Sequence, residues 1–252
     1  MTTENISNRY SNSGLMRSYS RDLAAKPRSL ILDALFVKRM PLWKRAMDIA
    51  GALFGLIVLL PLLIAISLYI KWVSPGPVFF RQRRIGSGGK TFHLFKFRTM
   101  HHNADPNMHK QYLAQLIKSS EDNRHTGKPM KKLQQDPRII RNGHLLRASG
   151  LDELPQLLNV LLGEMSLIGP RPPIPYEVEQ YKLWFRGRFD VVPGLTGLWQ
   201  VSGKNRLGFN EMIRLDIQYA QKRSLILDLK ILLKTPFAIY EQIKDMRENC
   251  RS

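Results

Sequence analysis

At 252 residues with 44% apolar side chains, the chain has material for one large packed domain or two small ones, which excludes a disordered tail. Its 39 Lys and Arg against 20 Asp and Glu leave a charge of +19, which points to an anionic partner: nucleic acid, an acidic membrane surface or a phosphorylated substrate. One cysteine, Cys250, excludes an internal disulfide framework and a cysteine-based zinc site, and fits a reducing compartment.

Residues 1–29, rich in Ser, Asn, Arg and Tyr without periodicity, read as a flexible N-terminal arm. A basic-then-apolar pattern begins only near Lys38, too far in for an ordinary signal peptide, and no small-residue cleavage site follows it. Residues 49–70 then run without a charge, roughly 33 Å as a straight helix, which is long enough to cross a bilayer. Pro61 interrupts that run, and Lys38, Arg39, Lys44 and Arg45 before it are matched by Lys71, Arg81, Arg83, Arg84 and Lys90 after it. A re-entrant hairpin with both ends cytoplasmic and a kinked span fit equally; a buried soluble helix is the third reading.

Residues 78–84 and 91–97 alternate apolar and polar side chains across Ile85-Gly-Ser-Gly-Gly-Lys90, which predicts a β-hairpin. Gly89-Lys90-Thr91 matches the end of a phosphate-binding loop, but the first glycine would fall on Arg84 and a strand follows, so that motif is rejected. Most of the excess charge lies in this region, with 16 basic and 4 acidic residues between 71 and 150. His101, His102 and His109 have no acidic residues at metal-ligand spacing and read as solvated. Residues 118–136, broken by Gly127 and Pro129, read as a long surface loop.

After Arg147, the adjacent acids Asp152 and Glu153 precede an apolar run with Pro155 in its first turn and Gly163 as its stop, so they sit at a helix start. Two readings fit. Asp152 caps the helix, or completes a Ser149-x-x-Asp152 capping box with Glu153 favouring the dipole; or a carboxylate nucleophile or magnesium ligand stands where phosphate is also attracted, with Arg147 as a forked phosphate donor. Gly169-Pro-Arg171-Pro-Pro-Ile-Pro175 is rigid and extended, either a spacer or a holder for Arg171. The glycine-rich stretch 192–205 is a ligand-lining loop or a packed turn. Residues 207–222 place Phe209, Met212, Ile213, Ile217 and Ala220 on one helical face, either core or a membrane-surface stripe, with core favoured.

In these blocks the chain resembles the bacterial sugar transferase family, the monotopic phosphoglycosyl transferases that prime exopolysaccharide, O-antigen or glycoconjugate assembly. The likeness runs from about Arg39 to Tyr240. It is carried by the broken apolar helix, Lys96-Phe-Arg98-Thr-Met100, Leu151-Asp-Glu-Leu-Pro-Gln through Gly169-Pro-Arg171-Pro172, Pro193-Gly-Leu-Thr-Gly-Leu-Trp-Gln-Val-Ser-Gly203 and Leu227-Asp-Leu-Lys230. The resemblance implies transfer of a sugar 1-phosphate from a UDP-sugar to undecaprenyl phosphate, with UMP released. By position it implies Asp152 as nucleophile and Mg²⁺ ligand, Glu153 as its dyad partner, Arg147, Lys96 and Arg98 at the phosphates, Arg171 near the nucleotide, and Asp228 as a substrate-binding acid. Gly150 stands where the family often has Ser, the segment between Lys96 and Asp152 is longer than in minimal members, and the extra membrane spans of larger relatives are absent.

The expected fold is α+β and predominantly helical: a re-entrant membrane hairpin broken at Pro61, a small β-hairpin and a cytosolic catalytic domain with amphipathic interface helices. The expected division is an arm over 1–38, the hairpin over 39–75, the transferase domain over 76–240 and a tail over 241–252. The resemblance places the chain at the cytoplasmic face of the bacterial inner membrane, with anionic lipids as partners and homo-oligomers and downstream glycosyltransferases as further partners. Nucleic acid is not expected, since no helix-turn-helix, zinc-finger or RNP-type pattern is present. The rival readings are a membrane-tethered nucleic-acid-binding module and a catalytically silent scaffold of glycan assembly, in which the acidic pair is only a cap.

Overall fold

The computed structural model describes residues 37–101, 117 and 138–249. The N-terminal arm, His102, His109, the loop over 118–136 and Cys250 lie outside the described residues. The apolar run forms two helices, α1 (Leu42–Val58) and α2 (Leu60–Val73), separated at Leu59, whose φ of −90° and ψ of 2° leave the helical region. Pro61 falls in the first turn of α2, where a missing N–H has no partner to lose, so the proline starts the second helix. Among the described residues no single helix is long and apolar enough to cross a membrane; only this pair meets that test together, and it is bent by 62°.

The start of α1 belongs to the packed body of the protein. Lys44, 1% exposed, places Nζ 2.7 Å from Asp228. Arg45 donates to the carbonyls of Val160 (2.6 Å) and Leu161 (2.7 Å). Asp48 accepts hydrogen bonds from the Ser166 hydroxyl and the Leu167 N–H, each at 2.9 Å. The count of flanking cations as a topology signal is therefore corrected: Lys44 and Arg45 are committed to internal partners. Farther along, α2 sets Ile66 and Ile70 against Phe97, Ile140 and Leu146. Both arms thus rest on the same body, while Leu53, Phe54, Ile57, Val58, Leu60, Leu62 and Ile64 around the bend stay exposed.

Strands β1 (Phe79–Ile85) and β2 (Thr91–Phe97) pair antiparallel in the expected hairpin, with Phe79 opposite Phe97 and Ile85 opposite Thr91. Next come α3 (Gly143–Ser149), a 3-10 turn over Leu151–Glu153 and α4 (Gln156–Leu162). The buried Asn159 ties α4 to β2, accepting from the Phe95 N–H at 3.0 Å and donating to the His93 carbonyl at 2.8 Å. Strand β3 (Ser166–Ile168) pairs in parallel with β4 (Gly194–Thr196). Between them lie α5 (Pro175–Val178) and a 3-10 segment over Leu183–Asp190; after β4 come α6 (Leu198–Val201) and a 3-10 turn over Lys204–Arg206.

Helix α7 (Phe209–Lys222) buries Phe209, Met212, Ile213, Ile217 and Ala220, so its stripe is core. Helix α8 (Leu225–Asn249) runs past residue 240, across the boundary expected at 241. One face of α8 presents Ile226, Leu229, Leu233, Phe237 and Tyr240, all exposed and three or four residues apart. The mixture of helices with two small sheets is the α+β class expected.

Candidate active site

Gly150 closes α3 at φ +73°, a left-handed value that glycine adopts without steric cost. Nothing lies within 4 Å of where its Cβ would stand, so backbone conformation and not crowding favours glycine there. Ser149 turns its hydroxyl back to the carbonyls of Leu145 (2.8 Å) and Leu146 (3.2 Å). Regular helix begins only at Gln156, with Pro155 before it and no side-chain cap. The capping reading of Asp152 is therefore corrected: a separate 3-10 turn, itself without a side-chain cap, holds both acids ahead of α4. Asp152 is nonetheless 5% exposed, and a carboxylate that deep requires compensating cations.

Those cations come from several segments of the chain. Lys96, on β2 with its ammonium 5.3 Å from the Phe80 ring centroid, is pushed down to about 8 by burial and by Arg84 and Arg147, against the pull of Asp152 and Glu153. Arg84 on β1 is pushed down to about 10, first by burial and then by Arg171, with Glu177 and Glu153 opposing. Burial and Arg171 lower Lys204, while Glu153 and Asp152 hold it up. Lys96, Arg147 and Arg171 thus share one electrostatic neighbourhood with Asp152 and Glu153, and Arg84 and Lys204 join them.

Sequence reasoning missed the last two. Lys204 follows directly on the Gly203 that ends a recognised block, which is the signal that could have found it. Arg84 sits in a run of cations that looked like membrane flank, whereas its side chain is 5% exposed and braces the proline-rich segment.

That segment is held by its backbone. The Pro170 carbonyl accepts from the Gly194 N–H (2.9 Å), Arg171 from the Arg188 guanidinium (2.8 Å), Pro172 from the Arg84 guanidinium (2.8 Å) and Pro173 from the Ile85 N–H (3.0 Å). Arg188 is itself buried and held by Asp216 and Tyr181. Four satisfied carbonyls in a row fix the chain while the Arg171 side chain stays exposed, a geometry compatible with a holder for that cation. A side chain on Gly194 would collide with the Gly169 backbone, so glycine is required where the start of β4 meets the chain leaving β3.

Two sequence-expected residues lie apart from this group. Arg98 donates to the carbonyls of Ser74 (2.7 Å) and Pro75 (2.8 Å), closing the end of α2. Asp228, fully buried, places one carboxylate oxygen on Lys44 and the other 2.8 Å from the Tyr219 hydroxyl. Exposed His101 agrees with a solvated role.

Among the described residues no cluster of three His, Cys, Asp or Glu could by itself hold a metal. The adjacent acids of the 3-10 turn nevertheless suit Mg²⁺, which takes one or two carboxylates and completes its octahedron with water and substrate phosphate. Buried Asp152 and half-buried Glu153 thus interact electrostatically with Lys96, Arg84 and Lys204, cations of a type that suits phosphate oxygens. The bacterial sugar transferase model matches residues 39–242, and the chain belongs to that family. It is 41% identical over 196 residues to the exopolysaccharide production protein ExoY of Sinorhizobium fredii, covering 76% of this chain and 83% of that protein. It is also 40% identical over 203 residues to the UDP-glucose:undecaprenyl-phosphate glucose-1-phosphate transferase of Caulobacter vibrioides, covering 76% of this chain and 67% of the other. The undecaprenyl-phosphate galactose phosphotransferase of Salmonella typhimurium is 38% identical over 192 residues, covering 76% of this chain and 39% of its own.

Proposed function

We propose that the chain transfers a sugar 1-phosphate from a UDP-sugar to undecaprenyl phosphate at the cytoplasmic face of the inner membrane, the first step in assembling a polysaccharide or glycoconjugate. The observation that carries this reading is Asp152, a buried carboxylate that caps no helix and stands among cations suited to phosphate. An Asp152 carboxylate oxygen attacks the β-phosphorus of the donor, the bond from that phosphorus to the bridging oxygen breaks, and UMP leaves. A lipid phosphate oxygen, oriented by Glu153, then attacks the same phosphorus; the bond to Asp152 breaks and its carboxylate is restored. Lys96, Arg147 and Lys204 offset the charge of the diphosphate, and Arg171 meets the nucleotide. Bound Mg²⁺, held by Asp152 with substrate phosphate oxygens, would neutralise the departing UMP.

The acceptor is supported by the names of relatives that act on undecaprenyl phosphate. Placement at a membrane is supported by the exposed apolar side chains around the α1–α2 bend and along α8, which fit a helix pair dipping into the bilayer and a helix lying in its interface. The test is UMP release from a panel of UDP-sugars, glucose and galactose first, in the presence of undecaprenyl phosphate. With UDP-sugar alone, one equivalent of UMP or less should appear, with a sugar-phosphate adduct on the peptide over 151–156, and Asp152→Asn should give neither. UMP that requires both substrates, together with turnover by Asp152→Asn, would overturn the covalent route.

A further inference from the structure

Helix α8 reaches into the site through one buried amide. Gln242, 7% exposed, accepts a hydrogen bond from Lys204 Nζ on its Oε1 and donates through Nε2 to the Arg147 carbonyl at 3.3 Å. Lys204 itself has a φ of +23°, unusual for a residue with a side chain, and follows Gly203 at +116°. Two residues on, Arg206 makes ion pairs with Glu241 (3.6 Å) and Asp245 (3.5 Å) of the same helix. The opposite face of α8 is the exposed apolar stripe.

Resting on the transfer reading above, we infer that Gln242 is a positioning residue: its amide aims the Lys204 ammonium at the donor diphosphate and ties that aim to α8 and to the end of α3. Amide orientation matters because the oxygen serves the lysine and the nitrogen serves the carbonyl, so a single side chain sets the spacing between the Lys204 turn and the Arg147 backbone. In this role Gln242 acts through these two neighbours and not on the substrate itself.

The experiment is a double-mutant cycle in the full-length, membrane-reconstituted protein. Gln242→Leu is expected to lower kcat/KM for the UDP-sugar about tenfold and to weaken UDP binding by a similar factor. In a Lys204→Met background the same change should have less than about a twofold effect, because its target is gone. Multiplicative losses, or an unchanged kcat/KM in Gln242→Leu, overturn the inference. If Gln242→Leu does not fold, Gln242→Asn, too short to span both partners, is read against the same expectations. A wild type that releases no UMP refutes the reaction; the cycle is then read in calorimetric UDP binding, where loss only in the presence of Lys204 upholds the positioning, and equal binding overturns it. A wild type that binds no UDP overturns both.

Discussion

Lys96 is a cation of the site whose charge state changes within an accessible pH range. Pushed down to about 8 chiefly by burial, it keeps its proton below that value and loses it above. Activity that depends on its charge is therefore present on the acid side and lost as pH rises. kcat/KM for the UDP-sugar, which reports the free enzyme, should fall about tenfold per unit above about pH 8. Lys96→Arg keeps its cation throughout and should flatten that limb. Stability moves the other way: the unfolded lysine binds its proton more tightly, so burial of the charged form disfavours folding below about 8, and this penalty is relieved as pH rises toward the ordinary lysine value. A wild-type kcat/KM level through pH 10 would remove the Lys96 charge from the mechanism. The acidic pair gives a second expectation at this scale: EDTA should stop turnover and Mg²⁺ should restore it, and full turnover in chelator would dispense with the metal.

Among the elements, α1 is as much a member of the catalytic body as of the apolar bend. Lys44→Met leaves the Asp228 charge buried and should cost about 3–5 kcal/mol in urea unfolding. Asp228→Asn should lose stability while leaving KM for the UDP-sugar unchanged; a raised KM in folded protein would return Asp228 to the substrate. The β1–β2 hairpin was legible because strand alternation and a glycine turn are local signals, and the α7 stripe was legible because its period lies within one helix. The partners of Lys44 and Arg45 were not, since they are 184, 115 and 116 residues away, and chain order says nothing about such pairings. Asp152 and Glu153 were found by type and neighbours, but their 3-10 turn was read as a helix start because Pro155 suits both. Lys204 carried a local signal in its place right after Gly203, whereas Arg84 became recognisable only when folding set its charge against Glu153 and Glu177.

At the scale of the molecule, the two arms of the bend are held by one body, α1 through its charged first turns and α2 through Ile66 and Ile70. Both flanks should then lie on one side of the membrane. Cysteines introduced as Arg39→Cys and Ser87→Cys in a Cys250→Ser background should both resist impermeant reagents in intact cells. Adding Pro61→Leu should not alter that result, because a continuous helix would have to break one of the two sets of contacts. Labelling of one position alone would mean that the pair crosses.

The charged foot of α1 also orders events during synthesis. Lys44 leaves the ribosome 184 residues before Asp228. At roughly 5–20 residues per second, the helix waits about 10–40 s for its counter-charge. Throughout that interval an apolar segment and an unmatched lysine are present together, and neither has the body it will rest on. A lipid surface can shelter the first while leaving the second in water. If a bilayer is that shelter, as the proposed function has it, the nascent chain should reach the membrane before its catalytic half can close; ribosome-bound chains that end short of Asp228 should then sediment with membranes, and their recovery in the supernatant would overturn this order of events.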